Sequence, residues 1–300
     1  MATLSHSELQ YIIAGLAHPT TPTRADGRTL LQPRAVGVSY GDAPAANGSA
    51  RVRIGGTDVV AGIKLEVADV AEGSRPRTKV DVDVTPQAFP GGTSSSLQNL
   101  SSSYAAFVTD HFLPSVPVLR ITDKKAFVPT LHLTVLGADG SVPMALVLAA
   151  RAAFCDLAVP KTKVIGWEGA EDDARAGKDM AGIKGAVGAA RGKGRARARG
   201  ADDWDLEDGS TEHMANRDTL PVLVTLHLVP ESDAFFVDAA PKEEEACSGK
   251  IHAMFRPDGR ICGLRTEGDA GIDASRIRPL LQEAKAIALD LAASLNTDLP

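Results

Sequence analysis

Cysteine is scarce in this 300-residue chain: Cys155, Cys247 and Cys262 are the only three. They lie far apart and are odd in number, so no C-x-x-C metal framework can be drawn, and free thiols in a reducing compartment are expected. The seven histidines are scattered without an H-E-x-x-H pattern, which argues against a zinc site. No run of about eighteen apolar residues occurs, so no membrane span is expected. The opening Met-Ala-Thr-Leu-Ser-His lacks the basic-then-apolar order of a secretory signal. Positive charge is also short, since 32 Lys and Arg against 38 Asp and Glu leave a net charge of −6. A broad nucleic-acid surface needs the opposite balance; what remains open is a confined basic channel shared with other subunits.

What is present is globular. Hydrophobic residues make up 44% of the chain, and its length suits one large domain or two modest ones. Ser5-His-Ser-Glu8 forms a capping box, followed by Leu9, Ile12, Ile13 and Leu16 at helical spacing up to Pro19. Residues 19–34 read as an extended arm. Asn47-Gly48 marks a turn before strands over Ala50–Ile54 and Val59–Val67. Alternation predicts strands at Lys79–Thr85 and Phe127–Leu136. A helix fits residues 93–113, and a nearly all-apolar helix fits Pro143–Leu157. Periodicity fades over residues 161–215, which read as a low-complexity charged insertion or linker. Strands are expected again at Leu220–Leu228, Phe235–Asp238, Ile251–Phe255 and Ile261–Leu264, then an amphipathic helix starting at Asp273. Strands followed by helices, twice, define an α+β protein of two halves. The expected units are an N-terminal helix and arm (1–27), a first domain (28–160), the insertion (161–215) and a second domain (216–300).

Several residues invite a chemical reading. Arg191, Lys193, Arg195, Arg197 and Arg199 place five cations in nine residues. They read as an RNA-binding or nuclear-import arm, or as a solvated loop offset by Asp202, Asp203, Asp205, Glu207 and Asp208. No aromatic is interleaved there for base stacking. Gly188–Gly194 lacks the spacing of a phosphate loop. Asp81 and Asp83 share one strand face, as an acid pair or simply as its polar side. His132 reads as a packed or hydrogen-bonded core residue, and Cys155 as core. Arg51 and Arg53 point to one face, toward a neighbouring subunit or toward solvent.

Two motifs, Arg24-Ala-Asp-Gly-Arg28 and Asn47-Gly-Ser-Ala-Arg51, resemble the opening of the RNase PH superfamily. That superfamily comprises phosphorolytic exoribonucleases and the ring subunits of the RNA exosome. Val80-Asp-Val-Asp-Val84, Leu133-Thr-Val-Leu-Gly-Ala-Asp-Gly140 and Val159-Pro-Lys161 continue the resemblance in order. In the second half it is carried by Leu220-Pro-Val-Leu-Val-Thr-Leu226, Val237-Asp238, Glu243-Glu-Glu-Ala-Cys247 and Leu280-Leu-Gln-Glu-Ala-Lys285. Together they look most like the non-catalytic type-two ring subunits. The resemblance implies a duplicated mixed sheet with packed helices, the ribosomal protein S5 domain 2-like arrangement.

Phosphorolysis brings two anions together, so a working site needs arginines and amide or hydroxyl donors, plus an acid at the leaving oxygen. Active relatives carry a Gly-Thr-Arg-like clamp where this chain has Gly140-Ser-Val-Pro-Met144: Ser141 remains, the arginine is gone, and Pro143 lacks a backbone donor. Of two aspartates six residues apart, the first is Asp238 and the second has become Glu244. A shift of about 1 Å there can cost about a hundredfold in rate. Ser141, Asp238 and Glu244 are thus expected to be remnants of a degenerate site. Arg120, Lys124 and Lys125 stand in for the arginines other type-two subunits use on RNA, or are merely solvated.

The resemblance implies no cofactor. Expected partners are other RNase PH-like ring subunits, S1/KH-domain cap proteins, a hydrolytic exoribonuclease and single-stranded RNA. The expected locations are nucleus, nucleolus and cytoplasm. The alternative is a divergent phosphorolytic 3′-5′ exoribonuclease; a stand-alone RNA-binding module is disfavoured by the acidity.

Overall fold

Alternating inward-facing apolar residues drive the first half. Val59, Ala61 and Ile63 on one strand and Leu131, Leu133 and Val135 on another are fully buried, and Val60, Gly62, His132 and Thr134 between them are more exposed. A computed structural model describes residues 4–71, 76, 78–164, 204–268 and 271–300. Strands β1 (Val36–Tyr40), β2 (Gly48–Ile54), β3 (Thr57–Asp69), β4 (Lys79–Val84), β5 (Leu119–Arg120) and β6 (Lys125–Gly137) form one sheet. Its order is β1-β2-β3-β6-β4, with β5 also on β6, and only the β4–β6 pair is parallel. Helix α2 (Ser94–Phe107), capped by Thr93, lies against β4 and runs into a wider turn over Val108–Phe112.

Helix α3 (Val142–Asp156) has no polar face to speak of because all of its residues but Pro143 and Asp156 are buried, and Ala145 to Ala150 are at most 1% exposed. It lies on β2 and β3 and also touches the second sheet through β9. That sheet contains β9 (Val222–Leu228), β10 (Phe235–Val237), β11 (Lys250–Phe255) and β12 (Ile261–Glu267) in the order β10-β9-β11-β12, all antiparallel. Between β10 and β11 sits the short α4 (Pro241–Ala246); α5 (Ala274–Thr297), capped by Asp273, covers β9 and β11 with Leu280, Ala284 and Ala288. One apolar cluster runs continuously through both halves. This is the expected α+β layering of two sheets and packed helices.

Helix α1 (His6–Leu16) starts with the Ser5–Glu8 capping box and seats Leu16 in a second cluster with Val229, Phe236, Ala246 and Cys247. Burying such a leucine stabilises by about 1.5–3 kcal/mol. The arm then runs back beside the second sheet, where the Val237 N–H donates to the Leu30 carbonyl.

Three expectations change. The segment 161–215 does not begin and end as loop: β7 (Ala158–Val164) and β8 (Trp204–His213) pair antiparallel from Ala158↔His213 to Val164↔Trp204. The basic run Arg191–Arg199 between them lies outside the described residues. His132 is not in the core; its side chain is 53% exposed, 3.5 Å from Asp81. Its flanking leucines point inward, so the two-residue period turns His132 outward. Strand β1 and helix α4 were not anticipated. Cys155 is buried as expected.

Candidate functional site

The two halves meet where β6 and β10 end. After β6 the chain turns through Gly140 at φ 80 and Ser141 at φ 51; after β10 it turns through Asp238 at φ 50. A Cβ on Gly140 would overlap the Ala239 carbonyl oxygen, so only glycine lets these two backbones touch. Aspartate tolerates the left-handed region better than most residues. The Thr57 hydroxyl locks the first turn, donating to the Gly140 carbonyl at 2.6 Å and accepting from the Asp139 N–H at 2.8 Å. The Pro and acidic first turn of α4, a favourable helix start, then carries Glu243 and Glu244 back toward the junction.

Ser141, Asp238 and Glu244 are therefore neighbours, as their shared role in the sequence reading requires. The Ser141 N–H donates to Glu244 Oε1 at 3.1 Å, and Lys250 Nζ stands 3.6 Å from the same oxygen. Ser141 is 2% exposed, and its buried hydroxyl helps to lower the Asp238 pKa without making a hydrogen bond of regular geometry.

The arm fills the rest of the site. Arg34 donates to the Asp238 carboxylate from its backbone N–H (2.7 Å), Nε (2.8 Å) and Nη2 (2.7 Å), and Arg28 Nη1 adds a fourth bond at 2.9 Å. Arg34 also reaches the Asp139 carbonyl and carboxylate. Arg24 forks onto Glu243 at 3.0 and 2.6 Å, and its remaining donors take the Val237 and Asp238 carbonyls at 3.0 and 2.8 Å. Its guanidinium also lies over the Phe236 ring. Burial pushes the Asp238 pKa up, but Arg34's hydrogen bonds and charge outweigh that and hold it at about 2. With four donors on its two oxygens, this carboxylate has little acceptor capacity left for a substrate.

Sequence reasoning singled out Ser141, Asp238 and Glu244 but not their partners. Arg24 and Arg28 were noticed only as a motif, and Arg34 not at all. Nothing in the local pattern announces a partner 204 residues away.

The other candidates lie elsewhere. Arg120, Lys124 and Lys125 sit close together where β5 meets β6, at the opposite end of that 13-residue strand from Ser141. At about 3.3 Å per residue the separation along the strand is roughly 40 Å. Asp81 and Asp83 are exposed on the free side of the β4 edge, lining a cavity of about 640 Å³ with the serines of α2. Arg51 and Arg53 both reach across their hairpin to Asp58, whose pKa is lowered chiefly by the Arg51 hydrogen bonds. Among the described residues, no three His, Cys, Asp or Glu side chains gather as a metal site would need.

Fold and junction together define the class: an α+β protein with the RNase PH fold. Residues 32–160 match the 3′ exoribonuclease family, domain 1 (RNase PH). The chain is 25% identical to exosome complex component Rrp42 of Thermoplasma acidophilum over 256 residues, covering 83% of this chain and 80% of that one. It is also 25% identical to Rrp42 of Saccharolobus islandicus over 296 residues, 92% and 90% of the two chains. Among solved structures it is similar to a chain of the Archaeoglobus fulgidus exosome with RNA bound to the active site: TM-score 0.64, 19% identity, 96% of this chain and 98% of that one. An archaeal exosome core gives a TM-score of 0.63 at 19% identity, covering 97% and 96%.

Proposed function

We propose that this chain is a non-catalytic RNase PH-like subunit of an exosome-type ring, acting in RNA 3′-end processing and decay. One observation carries the reading: the acid expected to work in phosphorolysis, Asp238, is enclosed by Arg28 and Arg34 of its own chain. The clamp arginine is absent, with Val142, Pro143 and Met144 after Ser141, so neither the anion nor the leaving oxygen finds the groups it needs. Homology to subunits named as exosome components over most of the chain supports the assembly.

In this reading the chain completes a ring with other RNase PH-like subunits and helps line a channel for single-stranded RNA. Arg120, Lys124 and Lys125 contribute phosphate contacts, and catalysis belongs to a partner. S1/KH-domain caps and a hydrolytic exoribonuclease complete the assembly.

The test joins native mass spectrometry of the gently purified tagged protein with an assay of phosphate-dependent ADP release from poly(A). We expect a stoichiometric hetero-oligomer with several RNase PH-like subunits and no release by the isolated chain. A homo-oligomer that releases ADP when phosphate is added would overturn the proposal and favour a phosphorolytic enzyme.

A further inference from the structure

We propose that the groove between β12 and α5 is a docking site for an acidic amphipathic helix of a partner protein. This face stands apart from the junction of the two halves, so it serves whether or not the chain is catalytic. Helix α5 lies over β9 and β11, while β12 forms the outer edge of the second sheet. The register pairs Ile261 with Phe255 and Leu264 with Ala253. The inner partners are at most 1% exposed; Ile261 and Leu264, beside α5 rather than beneath it, are 48% and 44% exposed. Ile277 and Leu281, one turn apart on α5, meet Ile261 across a cavity of about 450 Å³. Large apolar side chains gathered in one open strip mark a face that gains by being covered.

Charge says what covers it. Both charged residues that line the groove are cations, Arg278 and Lys285 of α5. The turn at its end adds Arg256 and Arg260, against one acid, Asp258, that stands 3.6 Å from Arg260. Gly259, at φ 80, leaves room for Lys285 to lie across that turn. In a chain of net charge −6 this rim is a local exception. It attracts an acidic partner and repels a second copy of itself. Nucleic acid fits less well, because Phe255, the one aromatic residue of the lining, is 1% exposed and offers no ring to a base. A helix suits the space. Laid beside α5, it would cover β12 as α5 covers β11, and set apolar side chains at i, i+3, i+4 and i+7 onto Ile261, Leu264 and Leu281.

The probe is a fluorescein-labelled helical peptide of about 18 residues, with leucine at those positions and glutamate elsewhere; its lysine counterpart is the control. Fluorescence anisotropy with the full chain should give a Kd of about 10–100 μM for the glutamate peptide and binding about tenfold weaker for the lysine peptide. Arg278→Glu with Lys285→Glu should invert that preference, and Ile261→Ser should weaken the glutamate peptide about fivefold. All three positions are exposed, so circular dichroism should show the fold unchanged. Equal binding of the two peptides, or an Ile261→Ser protein that binds as well as the unaltered one, overturns the proposal. So does displacement of the peptide by oligouridylate, which would assign the face to RNA. Loss of an RNase PH-like subunit from the native mass spectrum of the Arg278→Glu, Lys285→Glu protein also overturns it, by making the face a ring contact.

Discussion

Arginine and carboxylate meet twice in this molecule under opposite conditions. Beneath the arm, the side chains of Arg24 and Glu243 are 0% and 5% exposed, and besides its fork onto Glu243 the guanidinium donates to the Val237 and Asp238 carbonyls. On the outer face of the first sheet, Arg53 meets Asp58 with its own side chain 60% exposed. The chemistry is the same, but the alternatives are not. When the outer pair parts, water takes over each charge. When the buried pair parts, no solvent is at hand, so the cluster holds the arm, β10 and α4 in one arrangement. An acid in catalysis must be able to exchange partners; under the proposed non-catalytic role, the acid of this junction holds two halves together instead.

The largest effect expected from breaking this contrast is at Arg24. Arg24→Ala leaves Glu243 buried without its counter-charge and strips the Val237 and Asp238 carbonyls of a donor, for a loss of about 3–5 kcal/mol. Urea denaturation of the two proteins measures it, and a midpoint shift no larger than that of an exposed pair would refute the latch. Gly140→Ala strikes the same junction through the backbone and should cost about 3 kcal/mol, since its Cβ overlaps the Ala239 carbonyl at a positive φ. Gly27→Ala is its control: a similar φ of +77 with nothing within 4 Å should cost only about 1 kcal/mol.

Which parts of this were legible in the sequence depends on how far apart the cooperating residues lie. The Ser5–Glu8 cap, the apolar run of α3 and the stripe of α5 are local, and the structure has them where the sequence puts them. Strand β1 is five residues long, with small residues at Gly37 and Ser39, and becomes a strand only by pairing with β2. Strands β7 and β8 are separated in sequence by 39 residues, so neither strand's neighbourhood shows its partner. His132 was misplaced because apolar neighbours were weighed above the two-residue alternation that decides its face. At the junction, Ser141, Asp238 and Glu244 could be picked out by resemblance. The arginines that enclose Asp238 became visible only when the arm's course was known.

Acid should dissect the buried cluster in two windows. His227 is stacked on Phe236, and both its ring nitrogens lack partners; burial first, then Lys250, holds its pKa well below the ordinary value. The unfolded chain gains a proton near pH 6.5 that the folded chain refuses, so stability falls below that pH by up to about 1.4 kcal/mol per unit. His227→Phe should flatten the loss between pH 6.5 and about 5 and leave the fold intact by circular dichroism. Asp238 acts lower. Its folded pKa is depressed to about 2, so its contribution is complete above the unfolded value near 4 and disappears as pH falls through 2. The contribution is about 2 kcal/mol. Asp238→Asn should lower neutral-pH stability and remove this slope from an acid titration of unfolding; a slope that persists would assign it to other carboxylates.

The smallest effect should come from the outer pair, and its smallness is informative. Arg53→Ala removes a 3.2 Å contact to an aspartate that Arg51 still holds at 2.6 and 2.8 Å, from a side chain already mostly in water. Asp58 stays neutralised, no buried group is orphaned, and the change in unfolding free energy should stay within about 0.5 kcal/mol. Raising salt to about 1 M should move it little further, because screening has little left to remove. A loss comparable to that at Arg24 in the isolated chain would show that burial is not what separates the two pairs, and the case for Arg24 as a latch would weaken with it.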